Sequence, residues 1–129
     1  MLTGPESCPC GSGSSLRICC LPVISTRAAV TAEQLMRSRY TAYVLQDGDY
    51  LKDTWAPEHR PSQLTFNQNQ NWLGLKIKGT RSGGQNDDTG IVEFVARYKI
   101  DGRGHRLHEI SQFRRDNGKW IYVAGELKT

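Results

Sequence analysis

The strongest structural signal in the chain is the alternating stretch Ile91-Val-Glu-Phe-Val-Ala-Arg-Tyr-Lys-Ile100. Alternation of apolar and polar residues is typical of a β-strand with one buried face. A turn is predicted at Asp101-Gly-Arg-Gly104, and the strand His105–Arg115 returns from it. Asn117-Gly118 is a hairpin signal, so Lys119–Ala124 is expected to pair with the preceding strand. This part of the sequence therefore predicts an antiparallel meander.

Pairing across the two turns assigns each side chain to one face of the sheet. We expect Ile100 to pair with His105, which places Ala96 opposite Glu109. One face then receives the helical part of the chain and carries Val92, Phe94, Ala96, Tyr98, Leu107, Glu109, Ser111, Phe113, Trp120 and Tyr122. The opposite face has an apolar patch that is expected to be covered, formed by Val95, Ile110, Ile121 and Val123.

Helices are predicted before the sheet. Thr31-Ala-Glu-Gln34 is a capping box, and the apolar residues after it recur at helical spacing, so a helix is expected from Ala32 to about Asp47. Gly48 is expected to end this helix. Asp49 is then expected to cap a short second helix that runs through Trp55.

The remaining segments are predicted as connections and one further strand. Residues 21–30 contain Pro22 and predict an extended linker. Residues 58–71 and 81–90 are polar and predict loops, and Leu73–Ile77 alternates as a strand. Helices followed by a meander predict an α+β fold, in which the helices pack on one face of a curved antiparallel sheet.

All four cysteines lie in one stretch, Cys8-Pro-Cys-Gly-Ser-Gly-Ser-Ser-Leu-Arg-Ile-Cys-Cys20. The spacing is C-x-C-x8-C-C, and two close thiol pairs on a glycine-rich loop suit the tetrahedral coordination of Zn²⁺. Disulfides between Cys8 and Cys19 and between Cys10 and Cys20 are the alternative in an oxidising compartment, and unconnected thiols are a second alternative. We predict a zinc site with Cys8, Cys10, Cys19 and Cys20 as ligands.

Composition and charge narrow the class of protein. The chain has 129 residues and a net charge of +4, with basic and acidic residues interspersed. This balance is typical of a soluble surface and does not favour nucleic-acid binding. The first residues lack the basic and apolar regions of a signal peptide, and no apolar run approaches the length of a membrane span. A cytoplasmic location and no membrane partner are expected.

The cysteine motif and the rest of the sequence each resemble a known family. Cys8-Pro-Cys-Gly-Ser-Gly13 with Cys19-Cys20 resembles the SEC-C motif, the zinc knuckle of the SecA translocase, which implies docking of a protein partner such as the SecB chaperone. The usual motif has several lysines between the cysteine pairs, whereas this chain has a single Arg17 there. A glycine usually follows the second pair, and Leu21 replaces it. The missing lysines weaken the case for an acidic partner.

The strings Thr31–Tyr43, Gly90–Phe94, Leu107–Phe113 and Gly118–Tyr122, together with Thr54-Trp55, are similar to the bacterial YchJ family. This resemblance implies a zinc knuckle over residues 1–22. It also implies a cone-shaped domain of the nuclear transport factor 2-like type over residues 23–129. The family is functionally uncharacterised, so the resemblance implies no reaction.

Glu109 is the most informative candidate for chemistry. Burial on the helix-facing side would raise the pKa of its carboxyl and suit a general acid or base. The alternative is a structural role, in a hydrogen bond or in an ion pair with Arg37 or Arg39. His59 follows Trp55 in a loop and is a second, weaker candidate at the mouth of the cone. The residues expected to line a pocket are Tyr40, Tyr43, Trp55, Phe94, Tyr98, Ser111, Phe113, Trp120 and Tyr122.

Two functions follow from these observations. The first is a zinc-binding protein that acts as a binding or adaptor module, with the knuckle docking a protein partner and the cone binding a ligand or partner. The second is a small-molecule enzyme of the isomerase or dehydratase type that uses Glu109 as acid or base. A strong metal motif beside a weak catalytic constellation favours the first.

Overall fold

The computed structural model of the chain describes residues 7–128 and consists of three helices followed by one four-stranded sheet. The elements are α1 (Cys20–Thr26), α2 (Ala32–Leu45), α3 (Gly48–Asp53), β1 (Gln70–Ser82), β2 (Thr89–Ile100), β3 (Arg103–Asp116) and β4 (Lys119–Leu127). In this part of the chain no helix is long and apolar enough to cross a lipid bilayer. The predicted α+β architecture is confirmed.

The sheet is an antiparallel meander in the order β1-β2-β3-β4, as the sequence predicts. The first hairpin turn is shorter than expected, because Ile100 pairs with Arg103 and only Asp101 and Gly102 form the turn, both with positive φ. The predicted pairing of Ile100 with His105 is therefore wrong by two residues. A shift by two preserves the faces of the strand, so Glu109 stays on the expected face but lies opposite Phe94.

The second hairpin, between β3 and β4, contains a β-bulge that the sequence does not indicate. Phe113 pairs with Tyr122, as expected, but Gln112 pairs with Ala124, so Val123 is an additional residue in β4. The strand also continues to Leu127, beyond the predicted end at Ala124. Because of the bulge, Gly125 lies opposite Ser111, on the face of the sheet that carries Ser111.

Helix α2 begins where the capping box predicts. Thr31 Oγ1 accepts a hydrogen bond of 3.0 Å from Gln34 N, and Gln34 Oε1 accepts one of 2.7 Å from Val30 N. The helix ends earlier than expected, because Gln46 adopts the left-handed conformation with φ 58°. Asp47 caps α3 by accepting a hydrogen bond from Tyr50 N, so neither Gly48 as the end of α2 nor Asp49 as the cap of α3 is correct.

The predicted linker at residues 21–30 is wrong, because α1 occupies Cys20–Thr26. Pro22 is compatible with this helix, since it lies in the first turn, where a backbone N–H has no partner within the helix. Val23 and Ile24 are buried in the same core as α2. Helix α1 thus runs across residue 22, and the division into parts 1–22 and 23–129 stays a prediction.

The main core lies between α2 and the inner face of the sheet. Leu35, Met36 and Tyr40 of α2 are buried together with Phe94 and Ala96 of β2. Burial of one such large apolar side chain contributes about 1.5–3 kcal/mol to folding. On the outer face, the predicted apolar patch is partly covered, with Val95 and Ile121 buried and Ile110 and Val123 half-buried.

The segment after α3 pairs with β4 and brings a tryptophan to the sheet. Ala56 N donates to Tyr122 O at 2.8 Å, and Tyr122 N donates to Thr54 O at 2.7 Å. These bonds form a short parallel bridge in which Trp55 lies beside Tyr122. Their rings meet edge to face, with centroids 5.4 Å apart. The bridge positions Trp55 at the inner face of the sheet.

Candidate functional site

The four cysteines form a compact cluster. The Sγ atoms of Cys8, Cys10, Cys19 and Cys20 all lie within 4.8 Å of one another, and those of Cys10 and Cys19 are 3.7 Å apart. Four thiolates about 2.3 Å from one central ion would be separated by about 3.8 Å. All four are free thiols, so the disulfide alternative is not realised. The donor set and its spacing fit one tetrahedrally coordinated metal ion.

The backbone of the loop holds the thiols in this arrangement. Cys8 N donates to Ser14 O at 2.9 Å, and Cys19 N donates to Ser15 O at 3.0 Å. Gly11 and Gly13 have φ of 80° and 89°, which residues with a Cβ rarely adopt. The glycines of the motif therefore allow the chain to fold back and bring the two cysteine pairs together.

Residues around the thiols connect the cluster to α2. Arg37 Nη1 donates to Cys10 O at 2.8 Å, and Thr41 Oγ1 lies 3.7 Å from the Sγ of Cys8. A hydrogen bond with Cys20 lowers the pKa of the Cys10 thiol well below its usual value, and the same contact raises the pKa of Cys20. Cysteine binds metal as the thiolate, so a metal ion in this cluster would take the place of the thiol protons.

A second site is a cavity of about 260 Å³ between α2, the segment after α3 and the inner face of the sheet. Its wall is mostly apolar and aromatic, with a carboxylate and a guanidinium among the lining groups. The lining residues are Met36, Arg39, Tyr40, Tyr43, Trp55, Trp72, Phe94, Ala96, Leu107, Glu109, Ser111 and Tyr122. An apolar cavity with a few convergent polar groups is the usual form of a small-molecule site.

Glu109 is held in the cavity by two hydroxyl groups. Its Oε2 accepts a hydrogen bond of 2.8 Å from Ser111 Oγ and one of 3.3 Å from Tyr122 OH. Burial raises the pKa of Tyr122 above its usual value, and the negative charge of Glu109 raises it further. A Cβ at Gly125 would lie 1.8 Å from Oε2 of Glu109, so only glycine leaves room for this carboxylate.

Arg39 is the buried cation of the cavity, with 3% of its surface exposed. Its Nη1 donates to Leu51 O at 2.8 Å and to Thr54 Oγ1 at 2.7 Å. The guanidinium carbon lies 5.0 Å from the ring centre of Trp55 and 4.8 Å from that of Tyr122. Burial lowers the pKa of Arg39, because desolvation disfavours its charged form.

Of the two structural roles predicted for Glu109, the hydrogen bond is present and the ion pair with Arg37 or Arg39 is not formed. Arg37 forms its ion pair with Glu33, at 2.9 Å. Arg39 makes no ion pair with a carboxylate in residues 7–128. Glu109 therefore has neutral hydrogen-bond donors and no cationic partner in the part of the chain that the structure describes.

The structure brings together most, but not all, of the residues predicted to line a pocket. The cavity contains Tyr40, Tyr43, Trp55, Phe94, Ser111 and Tyr122. Phe113 and Trp120 are buried in the core instead, and Tyr98 stacks on His105 with ring centres 5.1 Å apart. His59 is exposed and is not part of the cavity wall.

The sequence does not indicate several residues that lie at or beside the cavity. Arg39 was considered only as a partner of Glu109, yet it lies three residues after Met36 and four after Leu35, on the buried stripe of α2. Ala96 and Leu107 were assigned to the inner face but not to the pocket. Gly125 had no sequence signal, because its inward position depends on the bulge at Val123.

The protein is an α+β domain with a four-cysteine knuckle at its start. Its helices precede an antiparallel meander, and a cavity lies between them. Residues 31–125 match the family model described as YchJ, middle NTF2-like domain. The chain belongs to this family.

Curated relatives agree with this assignment. A UPF0225 protein of Cupriavidus metallidurans is 47% identical, over 98% of this chain and 92% of its own length. Another, of Chromobacterium violaceum, is 45% identical over 92% of this chain and 91% of its own length. Neither name states a function.

Two solved structures have the same fold. The solution structure of a SEC-C motif containing protein from Rhodopseudomonas palustris aligns with a TM-score of 0.81 and 38% identity, covering 95% of this chain and 98% of the other. The crystal structure of a SEC-C motif containing protein from Psychrobacter arcticus aligns with a TM-score of 0.76 and 24% identity, covering 100% and 86%. The second similarity supports the fold alone.

Proposed function

We propose that this protein binds one Zn²⁺ through Cys8, Cys10, Cys19 and Cys20 and uses the knuckle as a docking module for a protein partner. The observation that carries the proposal is the closed set of four sulfur atoms within 4.8 Å. Four thiolates fill a tetrahedral zinc site, whereas a catalytic zinc keeps one position for water or substrate. The proposed metal is therefore structural, and an adaptor role is favoured over metal catalysis.

A reducing compartment is part of this proposal. Four free thiols at disulfide-forming distances would be oxidised in a secretory environment, and thiolates persist as metal ligands where thiols stay reduced. We therefore propose a cytoplasmic location.

The exposed apolar residues of the knuckle support partner docking. Ile18 is 75% exposed and Leu21 is 38% exposed, and both adjoin the second cysteine pair. Exposed apolar side chains that lie close together can supply the contact area of a protein interface.

Metal analysis tests the first part of the proposal. Protein purified under reducing conditions and without chelator should contain about one zinc per chain. A zinc content near zero, with four thiols that titrate freely, would contradict it.

Affinity capture tests the docking role. A partner that binds the parent chain should be lost with Ile18→Ser and retained with Leu73→Ser, a matched control that changes a 58% exposed leucine in β1. If both variants captured equal amounts of the partner, the knuckle would not be the docking surface.

A second function is favoured by the cavity that reaches Glu109. Arg39, Ser111 and Tyr122 converge with Glu109 in a mostly apolar space, which suits a small-molecule ligand and acid–base chemistry of the isomerase or dehydratase type. Turnover of a metabolite that Glu109→Gln abolishes, without loss of folding, would establish this function. Unchanged turnover in the variant would exclude Glu109 as its acid or base.

A further inference from the structure

We propose that the cavity binds a small carboxylic acid with a planar apolar body, and that Arg39 holds its carboxylate. This proposal rests on the second proposed function, in which the cavity is a ligand site, and it names the class of ligand. It does not depend on the metal in the knuckle.

The first argument is the unbalanced charge of Arg39. A guanidinium that is 3% exposed is costly unless anions or hydrogen bonds compensate for its lost hydration. Both of its hydrogen bonds to Leu51 and Thr54 leave from Nη1, and no carboxylate in residues 7–128 pairs with it. Because the side chain also lines the cavity, an anionic ligand can supply the missing partner.

The solvent contact of Arg39 supports the same conclusion. In the described part of the chain, Trp120 Nε1 is the one buried side-chain nitrogen or oxygen that lacks a hydrogen-bond partner. The nitrogens of Arg39 that do not bond Leu51 or Thr54 are therefore accessible or hydrogen-bonded to a neighbour. Arg39 and its neighbour Tyr43 both line the cavity, so a carboxylate bound there would be in reach of this guanidinium.

The second argument is the shape of the wall. Trp72 meets Tyr40 edge to face with ring centres 5.5 Å apart, and it lies 6.0 Å from Tyr43. Trp55 and Tyr122 form another edge-to-face pair, and the guanidinium of Arg39 lies against both rings. Aromatic walls favour planar apolar groups. A cavity of about 260 Å³ is at the small end of ligand sites and suits a molecule of roughly ten non-hydrogen atoms.

The third argument distinguishes an anion from a cation. Oε2 of Glu109 already accepts two hydrogen bonds, whereas Arg39 has no carboxylate partner within residues 7–128. A cationic ligand beside Glu109 would place a second positive charge in the same cavity as a desolvated guanidinium. A carboxylate at Arg39 would instead neutralise the buried guanidinium, while the carboxylate of Glu109 in the same cavity would repel it. Removal of the Glu109 charge should therefore strengthen binding.

The experiment compares acids with their neutral amides on the full chain. Benzoate, phenylacetate and 3-phenylpropanoate are titrated beside the corresponding amides, and indole N–H signals are followed by NMR. We expect at least one acid to bind about tenfold more tightly than its amide, since the amide cannot form the charge-assisted contact. The indole signals of Trp55 and Trp72 should shift, and that of Trp120, outside the cavity, should not.

Two variants sharpen the test. Arg39→Lys should weaken binding of the acid by about tenfold or more, because lysine lacks the planar fork of the guanidinium. Glu109→Gln should tighten binding by about threefold or more, because the competing negative charge is removed. If Arg39→Lys fails to fold, the acid–amide comparison and Glu109→Gln still decide the question.

Several results would overturn the proposal. These are equal binding of acids and amides, weaker binding of the acid by Glu109→Gln, a shift confined to Trp120, or no binding of any probe to folded protein. The zinc content of each sample is measured in parallel. A zinc-loaded chain that binds no acid would reject this proposal and leave the metal site intact.

Discussion

The knuckle is formed by residues that are close in sequence, whereas the cavity is formed by residues that are far apart in sequence. The four thiols of the knuckle come from one short segment, Cys8–Cys20, so their spacing alone indicates that they can meet. The cavity wall comes from α2, from Trp55 after α3 and from all four strands, and its geometry depends on sheet register and on one bulge. A local site can be located by spacing, whereas a non-local one requires the positions of several elements at once.

The largest effect is expected from a change in the knuckle. Cys10→Ser removes a fully buried thiol from the cluster, so zinc content should fall from about one to near zero. The free energy of unfolding should fall by about 3 kcal/mol or more, because metal binding is coupled to folding. Metal analysis and chemical denaturation measure both quantities.

The matched control is Ser14→Ala in the same loop, since the contacts of Ser14 to Cys8 and Ser12 are made by its backbone. It should keep zinc and stability. If Cys10→Ser kept its zinc and its stability, the knuckle would not be a metal site. Cysteine spacing would then not have located a site in this chain.

The second effect arises from the buried phenols of the cavity. Burial raises the pKa of Tyr40 from 10.0 to about 12, so the folded state retains this proton after the unfolded state has lost it. The associated stability is fully present below pH 10.0 and is lost as pH rises to about 12. Two pKa units correspond to about 3 kcal/mol.

Denaturation between pH 9 and 12 (roughly the range that the raised pKa defines) measures this loss. Tyr40→Phe should show a smaller alkaline loss than the parent, whereas Tyr98→Phe, which removes a phenol outside the cavity wall, should not. An identical pH dependence for Tyr40→Phe and the parent would show that this phenol does not control the alkaline transition.

The third effect tests the close approach between β3 and β4. Gly125→Ala places a Cβ 1.8 Å from Oε2 of Glu109 and 2.8 Å from Tyr122 OH. The carboxylate must move away from the Cβ and give up its hydrogen bonds from Ser111 and Tyr122, which costs about 0.5–1.5 kcal/mol for each bond. Gly104→Ala is the matched control in β3, because its Cβ would meet nothing within 4 Å.

A double-mutant cycle isolates this contact. The loss caused by Gly125→Ala should be reduced by about 0.5 kcal/mol or more in a Glu109→Ala background. Additive losses would mean that the glycine serves some purpose other than space for the carboxylate.

Much of the fold follows from local chemistry, and most of the corrections occur where context overrides it. The meander, the start of α2 and the face of Glu109 could be predicted from alternation and capping. Pro22 predicts an extended segment, but its place in the first turn of α1 is compatible with a helix. Gln46 ends α2 although Gly48 is the stronger signal. The left-handed conformation costs a residue with a Cβ about 1–2 kcal/mol, and hydrogen bonds from Gln46 N to Ala42 O and Tyr43 O offset part of this cost.

Prediction of the candidate sites from sequence also fails where contacts between distant segments decide the structure. The thiol cluster was predictable, because its members are close in sequence. Phe113 and Trp120 were assigned to the pocket from face alone, yet position along the strand places them in the core. Arg39 was missed as a lining residue because charged residues are seldom fully buried, and its burial becomes understandable only with the carbonyl of Leu51 and the rings around it.

The smallest effect on stability is expected from Glu109→Gln. Glutamine keeps an oxygen that accepts hydrogen bonds from Ser111 and Tyr122, and no ion pair is lost within residues 7–128, so the free energy of unfolding should change by less than about 1 kcal/mol. The pKa of Tyr122 should fall towards its usual value, because the charge of Glu109 contributes to its elevation.

Denaturation and phenol absorbance titration measure these two changes, with Tyr122→Phe identifying the signal. A near-neutral result keeps the small-molecule function open. A loss of about 3 kcal/mol or more would indicate a buried charge pair and favour the adaptor function alone.

The bulge at Val123 makes the cavity dependent on the register of β4. If β3 and β4 continued in regular pairing beyond Phe113 and Tyr122, Ala124 would lie opposite Ser111, Gly125 would turn to the other face, and a Cβ would lie beside the carboxylate of Glu109. Loss of the bulge alone would therefore fill this part of the cavity without any change of composition. Removal of Val123 together with the bulge would instead keep Gly125 opposite Ser111, so among homologous chains the length of β4 and the presence of the bulge should change together.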